Sequence, residues 1–301
     1  MTWFERLNQF SDLTHAEFKA RYVGGKRRAG KAAAVSAARA LPSAAAPPAS
    51  VDWRAQGAVT PVKDQGQCGS CWAFATTVAT EGATFVNSSK LISLSEEQIV
   101  SCDKADGNAG CNGGDQLPAM QWLKKTGGQC SEADYPYTSG GGKDGKCKTT
   151  CKPATVIYSA IEVPARDETA LMTAIAGQPV SLSVDASGNG WQSYGGGVYS
   201  KACACTNENC LDHGVGGVGY GSDATAGDFW IVKNSWAASW GDKGCVNAAV
   251  VHFTLVFSHP IYLSHPFPNR YIMLGRGQKY GATGQCGVQV DNQYVTAAPT
   301  A

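Results

Sequence analysis

The residues best suited to covalent chemistry lie in Gln65-Gly-Gln-Cys-Gly-Ser-Cys-Trp72. Cys71 is followed by Trp72-Ala-Phe-Ala-Thr-Thr-Val-Ala-Thr-Glu81, a run free of Pro and Gly. Small and apolar residues at 71, 74, 75, 78, 79 and 82 recur at helical spacing, so one stripe can be buried. Cys71 therefore stands at a helix N-terminus, where unpaired N–H groups favour an anion and the thiol pKa should fall. A thiolate is the attacking species, so the prediction is a nucleophile. The competing reading makes Cys71 half of a disulfide, a role that Cys68 fills equally well. If Cys71 takes an imidazole base, the candidate is His213, the one histidine between Val51 and Gly244. Asn234 follows in Lys-Asn-Ser-Trp.

Other strings accompany these residues in order: Val51-Asp-Trp-Arg54, Gly57-Ala-Val-Thr-Pro-Val-Lys-Asp-Gln-Gly66, Cys111-Asn-Gly-Gly114, Tyr135-Pro-Tyr137, Leu211-Asp-His-Gly214 and Trp230-Ile-Val-Lys-Asn-Ser-Trp236. With Cys-Gly-Ser-Cys-Trp, they make the chain resemble the papain-like cysteine proteases of the papain and cathepsin L type. The resemblance implies an α+β fold, with a helical left domain over 51–166, an antiparallel β-barrel-like right domain over 167–301, and a cleft between them. It implies that Cys71 attacks the peptide carbonyl and His213 protonates the leaving amine. Asn234 would orient the imidazole, Trp236 would cover that hydrogen bond, and Gln65 with the Cys71 N–H would hold the oxyanion. Gly113 and Gly114 would bind extended substrate through backbone that lacks Cβ. Asp212, beside His213, is a secondary candidate for tuning the pair. The pocket for the second residue before the scissile bond maps to Asp115, Gln116, Ser183, Leu211, Gly214 and Asp291. Two carboxylates there would favour Arg or Lys.

The same resemblance pairs Cys68 with Cys111 and Cys102 with Cys147. Cys130 and Cys151 are extra and can bridge each other. Cys203, Cys205, Cys210 and Cys286 leave two bridges whose connectivity stays open. The spacing of Cys203, Cys205, Cys210 and His213 is poor for zinc, so neither metal nor cofactor is expected. Expected partners are protein or peptide substrates, the chain's own propeptide as inhibitor, and cystatin-like inhibitors, the enzyme acting as a monomer. A catalytically inactive binding or storage protein, a misfolded gene-model product and a relative that joins peptides or trims chain ends are the alternatives.

The elements that must position this chemistry are partly legible. Residues 1–46 read as a partial inhibitory propeptide and linker, because Asn8 to Phe18 resembles the C-terminal half of the family's propeptide. There Thr14 and Glu17 form a capping box, with Leu13 and Phe18 as its hydrophobic staple, so a helix should start at Ala16. Residues 24–50, rich in Ala, Gly, Ser and Pro, read as a flexible linker, cut between about Leu41 and Val51 on maturation. The stretch 51–166 reads as mostly helical: Ser95 and Gln98 make a second capping box, and a short helix starts at Leu117 and ends before Gly127. Asp167 to Ala176 reads as a helix; Val180 to Val184, Gly214 to Tyr220, Phe229 to Lys233 and Tyr271 to Leu274 read as strands.

A net charge of +1 over 301 residues gives no electrostatic case for nucleic acid, and no apolar run suits a membrane span. Twelve cysteines point to an oxidising compartment, lysosomal, vacuolar or extracellular. Met1-Thr-Trp-Phe-Glu-Arg is no signal peptide, so the true N-terminus is expected to lie upstream. Asn87-Ser-Ser89 is the one N-glycosylation sequon. Residues 245–270 are an atypical insertion with no acid, one base and three of the five histidines, and they repeat Ser-His-Pro. We read them as translated intron or another gene-model artefact; the rival is a lineage-specific loop.

Overall fold

The computed structural model describes residues 3–24, 46–203, 208–242 and 271–300. Cys205, Cys245 and the insertion at 245–270 lie outside them, as does most of the 24–50 linker. The helices that matter are α1 (His15–Tyr22), α2 (Cys71–Ser88), α3 (Glu96–Cys102), α4 (Gln116–Thr126) and α5 (Glu168–Gly177). The strands are β1 (Phe4–Glu5), β2 (Val51–Asp52), β3 (Gln129–Cys130), β4 (Pro153–Glu162), β5 (Val180–Val184), β6 (Tyr194–Gly196), β7 (Val198–Tyr199), β8 (His213–Asp223), β9 (Gly227–Lys233), β10 (Tyr271–Gly275) and β11 (Asn292–Pro299). The architecture is α+β. One sheet runs β3-β4-β11-β5-β8-β9-β10-β7, with β2 added against β8, and β1 pairs separately with β6.

Helix α2 is the axis of the molecule. It packs on α3 and α4 on one side and on β5, β8 and β11 on the other, and every residue from Cys71 to Thr84 is buried. Three of its buried hydroxyls are satisfied locally: Thr76, Thr80 and Thr84 each donate to the carbonyl four residues back, at 2.7–2.9 Å. That back-bonding lets a threonine-rich helix be buried on all sides. Strand β8 must come close to α2, and its glycines allow it. A Cβ on Gly216 would lie 2.5 Å from Val78 Cγ1.

The caps follow the local code with small departures. Thr14 caps α1 in a full capping box, and the helix starts at His15, one residue before the expected Ala16. Ser95 accepts from the Gln98 N–H at 3.1 Å. The Gln98 side chain does not close the box; its Oε1 accepts from the Cys130 N–H at 2.7 Å and its Nε2 donates to Gly128 O. Asp115 and Asp167 cap α4 and α5. Strand β4 departs from the helical reading of 51–166. It alternates inward Ile157 and Ile161 with outward Tyr158 and joins the sheet beside β11, a partner distant in sequence. Disulfides join Cys68 to Cys111, Cys102 to Cys147, Cys130 to Cys151 and Cys203 to Cys286. Cys210 is also disulfide-bonded. Cys71 is the free cysteine among the described residues.

The N-terminal segment lies across the body. Strand β1 adds antiparallel to β6, pairing Phe4 with Gly196. Phe10 and Phe18 are fully buried and pack edge-on against Trp236, with ring centroids 5.7 and 5.0 Å away. None of the helices among the described residues is long and apolar enough to cross a membrane.

Candidate active site

Cys71 is the first residue of α2. The preceding Ser70 does not cap the helix with its side chain; its Oγ is hydrogen-bonded to Tyr137 OH at 2.8 Å. The Ala73 N–H donates to Ser70 O at 2.8 Å, so within the first turn it is the Cys71 and Trp72 N–H groups that are left for another acceptor. His213 opens β8, paired with Val184 of β5, and Gly214 lies directly against Cys71. A Cβ on Gly214 would be 3.0 Å from Cys71 O, which explains the glycine. The Gly214 N–H points at the thiol and favours its charged form. Histidine and thiol therefore stand at the ends of adjoining elements, β8 and α2, with Gly214 between them and the helix.

The imidazole is tightly held. His213 Nε2 is 2.8 Å from Asn234 Oδ1. Trp236 stacks on the ring at 4.6 Å between centroids, excluding water from that bond. His213 Nδ1 is buried without a hydrogen-bond partner among the described residues. Asn234 Oδ1 also accepts from the Ser235 N–H at 2.8 Å, which fixes the amide orientation.

Gln65 is placed by a second set of contacts that sequence reasoning missed. Its Oε1 accepts from Ser235 Oγ at 2.6 Å, so its Nε2 faces the site. Its N–H donates to Ser235 O at 2.8 Å and its own carbonyl accepts from Tyr137 OH at 2.8 Å. Ser235 and Tyr137 are positioning residues. Both stand in the quoted motifs, but only the fold gives them a role.

The substrate-pocket candidates divide. Gln116 Nε2 donates to Ser183 Oγ at 3.1 Å, and Ser183 Oγ donates to Asp291 Oδ2 at 3.1 Å. Gln293 Nε2 holds Asp291 Oδ1 at 2.6 Å. Leu211 packs with Val290 beside them. Asp115 is apart from this chain of bonds, since its Oδ1 accepts from the Leu117 N–H at 3.0 Å as the cap of α4. Gly113 has φ +98°, and a Cβ on Gly114 would strike the Trp72 indole at 2.5 Å. Both glycines are thus required by the fold itself.

The N-terminal segment occupies the cleft. Tyr22 O accepts from Gln65 Nε2 and from Trp236 Nε1, each at 3.2 Å. Gly24 lies on Gly69, where a Cβ would come within 2.4 Å of the Gly69 Cα. Its N–H also faces the Cys71 sulfur. Lys19 Nζ sits 3.6 Å from Asp212 Oδ2. Sealing has an electrostatic result opposite to the sequence expectation. Burial pushes the Cys71 thiol up to about 11, outweighing the Gly214, Gly24 and Trp72 N–H groups, while Asp212 adds to the rise. Burial pushes His213 down to about 4, against the Asn234 bond. In this covered state the pair is therefore neutral thiol and neutral imidazole. The helix end is present as expected, but desolvation outweighs it. Asp212 is raised to about 6, chiefly by burial, although it accepts from the Ala186 N–H at 2.9 Å.

A two-lobed α+β fold with a cysteine, a histidine and an asparagine at the lobe junction defines the papain-like class of thiol-dependent proteases. The profile described as papain family cysteine protease matches residues 47–252. The chain is 44% identical over 247 residues to vignain of Ricinus communis, covering 80% of this chain and 66% of that protein. It is 38% identical over 298 residues to cysteine endopeptidase RepA of Oryza sativa subsp. japonica, covering 96% of this chain and 70% of that one. The crystal structure of the Amb a 11 cysteine protease, a ragweed pollen allergen, in its proform superposes with TM-score 0.80 at 36% identity, over 99% of this chain and 82% of that one. The chain belongs to the papain family of cysteine proteases. It spans about two thirds of the length of the curated relatives it matches.

Proposed function

We propose that the chain is a cysteine endopeptidase in a latent form, its N-terminal segment acting as an inhibitory pro-segment. The observation that carries this is the seat of Tyr22 O on Gln65 Nε2 at 3.2 Å. A carbonyl oxygen already rests on the side chain that would hold the oxyanion, and Gly24 covers the thiol.

When the segment leaves, water and substrate replace it, and the proton passes from Cys71 to His213. The thiolate attacks the peptide carbonyl carbon. Gln65 Nε2 and the Cys71 N–H hold the oxygen as it becomes negative. His213, kept in one orientation by Asn234, gives its proton to the leaving nitrogen and the C–N bond breaks. Water then gives a proton to His213 and attacks the thioester; the acid leaves and the thiol reforms. Gly113, Gly114, Asp212, Gly214 and Trp236 line the path of extended substrate. Residues 51–166 and 167–301 act as the two walls of the cleft.

In the second substrate pocket, Asp291 with Ser183, and Asp115 at the rim, favour Arg or Lys over large apolar residues. Both Asp291 oxygens already accept protein hydrogen bonds, which supports a fixed rather than a mobile charge. The disulfides suit an oxidising compartment, vacuolar, lysosomal or extracellular. The test is active-site titration with an epoxide, before and after removal of residues 1–46. Labelling at Cys71 only after removal is expected. No labelling in either form overturns the catalytic reading, and cleavage of Phe-Arg far ahead of Arg-Arg substrates overturns the pocket assignment.

A further inference from the structure

One side chain of the N-terminal segment is held at both ends of its amide by the body of the protein. Gln9 Nε2 donates to Trp236 O at 2.6 Å, and Gln9 Oε1 accepts from Ser239 Oγ at 2.7 Å. A backbone carbonyl can only accept, so Trp236 O must face the NH2 end of the amide, and Ser239 then donates to the oxygen end. The body thus presents one acceptor and one donor, spaced for a single primary carboxamide. A carboxylate brings no donor to Trp236 O, an ammonium brings no acceptor to the Ser239 hydroxyl, and an aliphatic side chain serves neither.

Both atoms stand on a turn that the fold pins at each end. Residues 236–240 run between two buried indoles, Trp236 and Trp240, whose rings meet edge-on at 4.9 Å between centroids. Trp240 Nε1 donates to Trp191 O at 3.0 Å. Trp236 bridges antiparallel to Asp64. That bridge uses Ser235 O, which accepts from the Gln65 N–H, and the Ala237 N–H, which donates to Lys63 O. In such a pair the middle residue's own carbonyl points to the opposite side, and here it meets Gln9. Ala237, at φ +58°, then turns the chain, and Ser239 Oγ comes round to the same amide. The acceptor and donor are therefore preorganised, and a ligand need not order them.

The turn also has a place in the reaction. The His213 ring lies on Trp236, at 4.6 Å between centroids. The leaving nitrogen takes its proton from His213, so the leaving part of a substrate passes over Trp236 and meets the turn behind it. Gln9 leaves with the pro-segment and vacates the slot to that part of the substrate. We propose, on the proteolytic reading of the site, that Trp236 O and Ser239 Oγ form a carboxamide subsite on the leaving side of the cleft, which selects substrates carrying Gln there. Ser239 is its specificity-determining side chain.

The folded full chain is processed to remove residues 1–46 and given internally quenched peptides that carry Gln, Glu or Leu at one leaving-side position at a time. At one position kcat/KM for Gln should exceed that for both Glu and Leu by about tenfold, since two hydrogen bonds are at stake. Ser239→Ala should cut the Gln-over-Leu ratio by at least about threefold. Absence of any position where Gln leads both, or a lead that Ser239→Ala leaves intact, overturns the proposal. A second measurement needs no catalysis. In the uncleaved chain Gln9→Glu sets a carboxylate against Trp236 O and should raise the rate of Cys71 alkylation by iodoacetamide at least about threefold; a smaller change overturns the amide selectivity of the slot. A parent enzyme that cuts none of the peptides sinks the proteolytic reading instead, and the slot is then judged by the uncleaved chain alone.

Discussion

Phe18 is the anchor of the N-terminal segment, and replacing it tests how that segment holds the cleft shut. Its ring is 0% exposed and touches Phe10, Tyr22 and Trp236, with centroids 5.0–6.0 Å apart. Phe18→Ala removes that packing and leaves a cavity, at a cost of about 3 kcal/mol. The body of the protein keeps its own core, so the loss falls on docking of the segment. The uncovered fraction should rise by roughly 100-fold, since about 1.4 kcal/mol is a factor of ten. The assay is the rate of Cys71 alkylation by iodoacetamide in the uncleaved chain, where only the uncovered state reacts. Leu7→Ala is the control, because Leu7 is 85% exposed and its loss should leave the rate unchanged. A Phe18→Ala rate within about twofold of the parent's, given the cost assumed here, would refute the idea that segment docking controls the thiol.

Other expectations follow from the same geometry. Gln65→Ala should lower kcat of the mature enzyme by about 100–1000-fold while leaving the titratable thiol count unchanged; a loss confined to KM would mean that Gln65 binds substrate only. Asp212 is raised to about 6 by burial, so its contribution to stability is fully present below the unfolded value of 3.8 and is lost as pH rises through about 6. Asp212→Asn should therefore match the parent in Tm near pH 4 and exceed it above pH 6; a constant difference at all pH values contradicts this. Gly216→Ala sets a Cβ 2.5 Å from Val78 Cγ1 and should cost about 1–3 kcal/mol, seen as a lower Tm in thermal melting; an unchanged Tm would mean that β8 and α2 can part freely. Uncovering the cleft should move the onset of Cys71 alkylation to lower pH, because burial is the main cause that holds the covered thiol near 11; identical pH profiles in both forms would discredit the desolvation account.

The primary structure settled what depends on near neighbours along the chain. Thr14 and Glu17 close their capping box three residues apart whatever the rest of the protein does. The run after Cys71 has no residue to break a helix, so the thiol's place at a helix start was legible. A lone imidazole between Val51 and Gly244 left His213 as the partner. Contacts that join distant segments were not legible. The Ser235 hydroxyl that orients Gln65 lies 170 residues away from it. Strand β4 was hidden because a strand is fixed by its partner, here β11, more than by its own residues. Folding also reversed the ionisation expected of Cys71. A helix end acts within one turn of its own chain, whereas desolvation depends on whatever lies on top, and here that is Gly24. Local chemistry thus named the candidate reactive groups; three-dimensional packing decided their charge, because the cost of removing water from an ion exceeds what neighbouring dipoles return.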